Sequence, residues 1–128
     1  MVHGFFEKEV HSGKLKLHIS IFFIKLIDPV SQSRQLAAIM FTDIVGYTAM
    51  MQQNEQKTVA VIKHYNATLE KWVKHFNGQV LNYYGDGSLC IFSSATEAVN
   101  CSLELQKDFK TEPVVPLRIC LHIGEVFF

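Results

Sequence analysis

The chain has 128 residues, 48% of them hydrophobic and 12% aromatic, which is enough apolar material for the core of a single domain. Lysine and arginine balance aspartate and glutamate at 12 each, which argues against partners that attract basic proteins, such as nucleic-acid polymers and anionic membranes. The three cysteines are too few and too widely spaced for a disulfide framework or a zinc site, so we expect small core residues of a reducing, cytoplasmic compartment: Cys90, Cys101 and Cys120.

Residues 1–32 form an extension whose structure the sequence leaves open. Its most apolar stretch, residues 15–27, contains lysines and a histidine and is shorter than the roughly 20 apolar residues of a membrane-spanning helix. Acidic residues before it and an Asp-Pro pair after it are unlike a secretory signal peptide, so we expect neither a span nor secretion. A strand, a docked helix, a linker remnant and a start codon placed too far upstream all stay open. Residues 28–34 resemble a turn, and we place the domain boundary near Ser33, which assigns residues 33–128 to the domain.

The domain begins with a strand that is followed by a long helix. Residues 36–41 are a continuous apolar run of strand length that ends in a Thr-Asp pair, which is typical of a central strand buried on both faces. After Gly46, Thr48 is in position to cap a helix that ends at the Asn-Gly pair of residues 77–78. Apolar residues recur in this helix at spacings of three and four, as is typical of an amphipathic helix. They are Val59, Ile62, Tyr65, Leu69, Trp72, Val73 and Phe76.

Two more strands, a second helix and a last strand follow. Residues 79–84 and 88–92 are rich in β-formers, and the Gly-Asp-Gly between them predicts a hairpin. A capping box at residues 94–97 opens a second helix that runs to about residue 110. Alternating apolar and polar residues at 117–123 then predict a half-buried strand.

The element order is β-α-β-β-α-β, which predicts an α+β, ferredoxin-like fold with helices on one face of an antiparallel sheet. In this topology the spatial order of the four strands is 4-1-3-2, so the first strand lies between the third and the fourth and runs opposite to both. The end of the first strand, the hairpin turn and the start of the fourth strand must therefore lie at one edge of the sheet. Those three places hold Asp43, Asp86 and Arg118.

This edge has the residues for metal-assisted phosphate chemistry. Two carboxylates brought together repel each other unless a cation lies between them, and Mg²⁺ is typically held by few carboxylates plus phosphate oxygens. A helix that starts just after Asp43, with Gly46 allowing close approach, favours an anion, and the Arg118 guanidinium suits phosphate oxygens. Taken singly, an Asp at a strand end, a Gly-Asp-Gly turn and an exposed Arg usually have only structural or solvent roles. Their combination at one edge is far more specific.

Three segments resemble the successive motifs of the class III adenylate/guanylate cyclase catalytic domain. They are FTDIVGYT at residues 41–48, YGDG at residues 84–87 and RICLHIGEV at residues 118–126. The resemblance covers about residues 35–126 and is nearest to bacterial members. It implies conversion of a nucleoside triphosphate, ATP more than GTP, to a 3′,5′-cyclic nucleotide and pyrophosphate in cyclic-nucleotide signalling. The ribose 3′-hydroxyl would attack the α-phosphorus in line.

The resemblance also implies roles for single residues. Asp43 and Asp86 match the catalytic, metal-binding aspartates that hold two Mg²⁺ or Mn²⁺ ions, and the Ile44 carbonyl matches a further metal ligand. Positions that match nucleotide-binding elements are Gly46, Tyr47, Thr48, Asn82, Gly85 and Arg118. Family members work as dimers with each active site at the subunit interface, so a homodimer or a second cyclase domain is implied as the partner.

Two features depart from the family pattern. Asn82 stands where many adenylate cyclases have an adenine-selecting lysine and guanylate cyclases a glutamate, and its amide both donates and accepts, so the base preference stays open. The family domain also continues past residue 126, through a second base-recognising residue and an Asn/Arg pair that stabilises the transition state. We therefore expect a truncated product or fragment that has weak or no cyclase activity alone.

Two other interpretations compete with cyclase activity. Diguanylate cyclases and polymerase palms place two metals on the same topology, but a diguanylate cyclase hairpin carries Gly-Gly, two acidic residues and Phe, whereas this hairpin reads YGDGS at residues 84–88. A degenerate cyclase-like module that binds nucleotide or only dimerises is the alternative outside catalysis. The presence of both Asp43 and Asp86 argues against it, and the absence of the last third of the family domain argues for it.

Overall fold

Six strands and three helices make up the part of the chain that this computed structural model describes, residues 2–12, 15–24 and 34–127. The strands are β1 (Val2–Ser12), β2 (Leu15–Ile24), β3 (Arg34–Ile44), β4 (Gln79–Tyr84), β5 (Gly87–Phe92) and β6 (Leu117–Phe127). The helices are α1 (Tyr47–Gln53), α2 (Glu55–His75) and α3 (Ala95–Asp108).

Within these ranges the strands form one sheet in the order β1-β2-β6-β3-β5-β4. The last four strands pair antiparallel with their neighbours, so β3 lies between β5 and β6 and runs opposite to both. The predicted ferredoxin-like order of the domain's four strands is therefore confirmed. The extension adds the other two strands: β1 and β2 are antiparallel, and β2 runs parallel to β6 from Leu17 opposite Ile119 to Ile21 opposite Ile123.

Strand β3 is apolar on both faces, as its continuous hydrophobic run predicts. Ala38 and Met40 are fully buried in the main core beneath the helices. Ala37 and Ile39 project from the opposite face, where they are also buried and pack beside Leu89 of β5. Alternation along the strand sends neighbouring residues to opposite faces, so both faces of a central strand need apolar side chains.

Helices α2 and α3 cover one face of the sheet. The core residues of α2 there are Val61, Tyr65, Leu69 and Val73. Those of α3 and its C-cap residue are Ala98, Cys101, Leu105 and Phe109. The predicted cap of α3 is present, since the Ser94 hydroxyl accepts from the Glu97 backbone N–H at 3.2 Å. None of the helices within the described ranges combines the length and apolar content needed to cross a membrane.

The cysteine expectation holds for two positions and is wrong for the third. Cys90 and Cys101 are fully buried core residues. Cys120 is half-buried on the other face of the sheet, because side chains alternate along β6 and its neighbours Ile119 and Leu121 face the core. Its Sγ lies 3.1 Å from Nε2 of His122.

The predicted long first helix is two helices, and Thr48 is not its cap. Helix α1 begins at Tyr47, with Gly46 as the N-cap residue and no side-chain capping bond. At Asn54 the backbone becomes extended, with φ −159° and ψ 98°, and α2 begins directly afterwards. The Asn54 side chain accepts from the Lys57 backbone N–H at 3.0 Å, which satisfies a donor that an unbroken helix would bond internally.

The end of α2 was predicted correctly at the Asn-Gly pair. Asn77 adopts a left-handed φ of 57°. The N–H of Asn77 donates to the Lys74 carbonyl at 3.1 Å, and that of Gly78 donates to the Val73 carbonyl at 2.8 Å. These two bonds form a Schellman motif that satisfies the last carbonyls of the helix.

We expect Gly78→Ala to lower the free energy of unfolding by about 1–3 kcal/mol, the range for an overpacked core. A Cβ at this position would lie 2.4 Å from Cε1 of Phe92, whose ring is fully buried and has no room to move aside. Urea unfolding followed by circular dichroism measures the loss. Asn77→Gly is the control in the same turn, because glycine adopts a left-handed φ freely. Equal unfolding midpoints for Gly78→Ala and the parent chain would contradict the argument.

Candidate active site

The strand register brings the candidate residues to one edge of the sheet. Asp43 of β3 lies opposite Gly87 of β5 on one side and Arg118 of β6 on the other. Asp86 immediately precedes Gly87, and its carbonyl accepts from the Ile44 N–H at 2.9 Å. The predicted meeting of a strand end, a hairpin turn and a strand start is therefore present in the backbone.

Close approach of β3 and β5 at this edge depends on glycine. A Cβ at Gly87 would lie 2.4 Å from the Thr42 carbonyl oxygen, a separation that no side chain tolerates. Gly85 has a φ of 56° and no atom within 4 Å of its hypothetical Cβ, so the turn requires it for conformation rather than for space. Both glycines of the Gly-Asp-Gly turn thus hold Asp86 beside the end of β3, each for its own reason.

Arg118 makes an ion pair with Asp43 across the two strands. Its Nε donates to Oδ2 of Asp43 at 3.1 Å, and its Nη2 donates to the same oxygen. The side chains are 73% and 39% exposed, so solvent screens the pair and its contribution to stability is small, about 0–1 kcal/mol. Sequence reasoning placed Arg118 at this edge but did not predict that its cation contacts a metal-ligand candidate.

The loop after β3 leads directly into helix α1. Val45 donates its N–H to the Pro116 carbonyl at 2.7 Å, which ties the loop to the segment before β6. Gly46 has a left-handed φ of 73° and nothing within 4 Å of a hypothetical Cβ. Tyr47 packs partly against the main core, whereas Thr48 is exposed. The first N–H groups of a helix lack internal partners, so this loop presents donors beside the aspartate edge.

Asn82 reaches the face of the sheet that carries Asp43 through an irregularity in β4. The register shifts between Val80, which lies opposite the core residue Cys90, and Asn82, which lies opposite Leu89. Leu89 packs on the face away from the helices, and directly opposed residues share a face. Without the shift, alternation would point Asn82 toward the helices.

The chemistry of the donor set fits a hard divalent cation. Asp43, Asp86 and the carbonyl of Ile44 offer only oxygen ligands, which suit Mg²⁺ or Mn²⁺ rather than softer metals. Among the described residues, no group of three or more His, Cys, Asp and Glu side chains is arranged to hold a metal. Mg²⁺ commonly takes its remaining ligands from water and substrate phosphates.

Residues 30–128 match the family model of the adenylate and guanylate cyclase catalytic domain. A protein of Rhizobium meliloti (strain 1021) that is assigned as adenylate cyclase 3 is 33% identical over 101 residues, which cover 73% of this chain and 17% of that protein.

Solved structures share the fold. An adenylate/guanylate cyclase/hydrolase from Silicibacter pomeroyi is 28% identical with a TM-score of 0.66, and the match covers 77% of this chain and 62% of that one. The guanylate cyclase domain of RhGC from Catenaria anguillulae, solved in complex with GTP, is 19% identical with a TM-score of 0.65, covering 73% and 59%. This chain spans less than two thirds of the length of each of these three proteins.

We expect Gly87→Ala to push β3 and β5 apart at the aspartate edge and to lower the free energy of unfolding by about 1–3 kcal/mol, because a backbone oxygen occupies the space of the new methyl group. Chemical denaturation measures the change. Gly46→Ala is the matched control, since it introduces φ strain of about 1 kcal/mol without a clash. A smaller loss for Gly87→Ala than for Gly46→Ala would count against the tight approach.

Proposed function

The chain belongs to the class III adenylate/guanylate cyclase catalytic domain family, and from this premise we propose that it carries the metal and triphosphate half of a cyclase active site. The reaction is conversion of a nucleoside triphosphate to a 3′,5′-cyclic nucleotide and pyrophosphate. The observation that best supports this proposal is the hydrogen bond from the Ile44 N–H to the Asp86 carbonyl, at 2.9 Å. It sets the second aspartate beside the end of the strand that bears Asp43.

The aspartates and one main-chain oxygen would hold the metal ions. Asp43 and Asp86 would bind two Mg²⁺ or Mn²⁺ ions, with the carbonyl of Ile44 as a further ligand. When bound, such ions make the ribose 3′-hydroxyl more acidic and screen the charge of the triphosphate. The protein's own contribution is to keep two carboxylates at one edge, where they are complementary to cations and repel each other without them.

Backbone N–H groups and Arg118 would orient the triphosphate. Gly46, the N-cap of α1, and Tyr47 and Thr48 in its first turn would present N–H donors beside Asp43, where β- and γ-phosphate oxygens would accept. Arg118 pairs with Asp43 in this structure. We propose that its guanidinium moves to a phosphate when a divalent cation replaces it at the carboxylate, because a planar fork of donors suits either partner.

ATP is the proposed substrate in preference to GTP. The Rhizobium meliloti relative, at 33% identity, is assigned as an adenylate cyclase. The Catenaria anguillulae domain binds GTP, and at 19% identity it supports only the shared fold. Asn82 lies with Asp43 on the open face of the sheet, the face that the helices do not cover. Its amide can pair with either base, so Asn82 permits both ATP and GTP.

A second cyclase domain completes the proposed site. In the family that this sequence resembles, active sites form between two domains, so we propose a homodimer or a pairing with another cyclase domain. One such domain alone would be weakly active or inactive, because a site that forms between two domains then lacks the partner's preorganised donors, and each donor to developing charge contributes about 2.7–4 kcal/mol. We also propose a cytoplasmic location, on the basis of the nucleotide substrate and the reduced, buried thiols of Cys90 and Cys101.

Arg118→Ala tests the proposed exchange of partners. We expect affinity for ATP with Mn²⁺ to fall about 10- to 100-fold, the equivalent of the roughly 1.5–3 kcal/mol of a hydrogen bond to a charged group. The free energy of unfolding should change by less than about 1 kcal/mol, since the pair with Asp43 is exposed. Isothermal titration calorimetry and urea unfolding measure the two effects. Arg118→Lys, which keeps the charge but loses the fork, should bind ATP with intermediate affinity.

The function itself is tested by replacing each aspartate with its uncharged isostere. Asp43→Asn and Asp86→Asn should each abolish Mn²⁺-dependent ATP binding in calorimetry, because each removes an anionic metal ligand. Glu55→Gln, an exposed carboxylate in the first turn of α2, is the control and should leave binding intact. ATP binding that is equally strong with and without Mn²⁺, and unaffected by both Asn variants, would favour the non-catalytic nucleotide-binding alternative.

A further inference from the structure

Three hydroxyl groups form a buried cluster directly beneath the aspartate edge. Oγ1 of Thr42 lies 2.5 Å from the Tyr65 hydroxyl oxygen and 2.6 Å from Oγ of Ser88. The three side chains belong to β3, α2 and β5, and all are less than 5% exposed. The cluster therefore joins one helix to two neighbouring strands through side-chain hydrogen bonds.

The cluster lies next to both candidate metal ligands along the chain. Thr42 precedes Asp43, and Ser88, which is directly opposite Thr42, follows two residues after Asp86. Alternation sends Thr42 and Ser88 toward the helices and Asp43 to the opposite face. Just beyond the cluster, the Ile44 N–H bonds to the Asp86 carbonyl. The hydroxyl cluster thus links β3 to β5 two residues before Ile44 and two residues after Asp86, the two residues that this backbone bond joins.

The cluster is uncharged, and its groups satisfy one another. Burial raises the pKa of Tyr65 more than the hydrogen bonds of its hydroxyl lower it, so the phenol stays protonated at neutral pH. Cys90, whose Sγ lies 3.7 Å from Oγ of Ser88, has its pKa raised to about 11 by burial. Burying a hydroxyl without a partner is unfavourable, whereas a fully paired buried network favours one arrangement of the elements that carry it.

We propose that Tyr65 is a positioning residue for the metal site. Through Thr42 and Ser88, its hydroxyl fixes the spacing of β3 and β5 beneath Asp43, and with it the separation of the Asp43 and Asp86 segments. Tyr65 itself contacts neither metal nor substrate. The effect of Tyr65 on metal affinity rests on the proposed function. Its effect on the spacing of β3 and β5 does not depend on that function.

The first readout needs no metal. Tyr65→Phe keeps the ring and removes the hydroxyl. In this variant the Ile44 amide should exchange with deuterium about 3- to 10-fold faster than in the parent chain. This factor is measured relative to the change in exchange of the α3 amides, which reports general destabilisation. Ser102→Ala is the matched control, because it removes a buried hydroxyl that bonds to the Ala98 carbonyl at 2.7 Å and lies 3.4 Å from Sδ of Met40 in β3, but does not join β3 to β5. Its Ile44 and α3 amides should accelerate by the same factor.

The second readout is Mn²⁺ binding to the full chain, followed by electron paramagnetic resonance. Tyr65→Phe and Thr42→Val should bind Mn²⁺ about tenfold more weakly, the lower end of the effect of removing an outer-shell partner. Thr42→Ser, which restores the hydroxyl, should recover the parent affinity, and Ser102→Ala should not change it.

The two readouts separate the possible failures. If Tyr65→Phe increases the exchange rate of the Ile44 amide no more than that of the α3 amides, the positioning role is overturned, whatever the Mn²⁺ affinity. If Ile44 is accelerated selectively but Mn²⁺ affinity is unchanged in a chain whose binding requires Asp43, the spacing does not govern the metals and the inference is again overturned. A parent chain whose Mn²⁺ binding survives Asp43→Asn overturns the proposed metal site, while the exchange measurement still decides the effect of Tyr65 on the spacing of β3 and β5.

Discussion

The antiparallel register of β3 between β5 and β6 is the constraint on which the candidate site depends. It sets Asp43 opposite Gly87 and Arg118 at the same time, and it brings Asp86 within backbone hydrogen-bond distance of Ile44. A slip of one residue in either pairing would turn Asp43 toward the helices, because the side-chain period of a strand is two.

The two faces of the sheet have different tasks at the aspartate edge. On the helix side, Thr42 belongs to a buried, neutral hydroxyl cluster that holds helix and strands together. On the opposite side, Asp43 pairs with Arg118 and stays accessible to solvent and ligands. Adjacent residues of one strand thus combine a rigid support with an exposed charge, and rigid support is what a site that must hold ions at fixed positions requires.

The two sides of the four-stranded part of the sheet differ, because one is extended by further strands and the other ends in an edge strand. The β1–β2 hairpin continues the sheet beyond β6, so that β6 has a neighbour on each side. On the other side, β4 is an edge strand on which Leu81 and Tyr84 are about half exposed. Exposed apolar residues on an edge strand favour contact with another surface, which agrees with the proposed pairing of two cyclase domains.

The amino-acid pattern alone determined the order of the domain's elements, the strand order and the three positions that meet at one edge, because hydrophobic period, turn residues and chain connectivity are local or topological properties. Three features were decided only by the tertiary structure: the break at Asn54, the register shift that turns Asn82 to the open face, and the pairing of Arg118 with Asp43. A one-residue break leaves the apolar spacing of α2 unchanged, and a register shift exists only relative to a partner strand. An ion pair between residues 75 positions apart forms only once the sheet has brought them together.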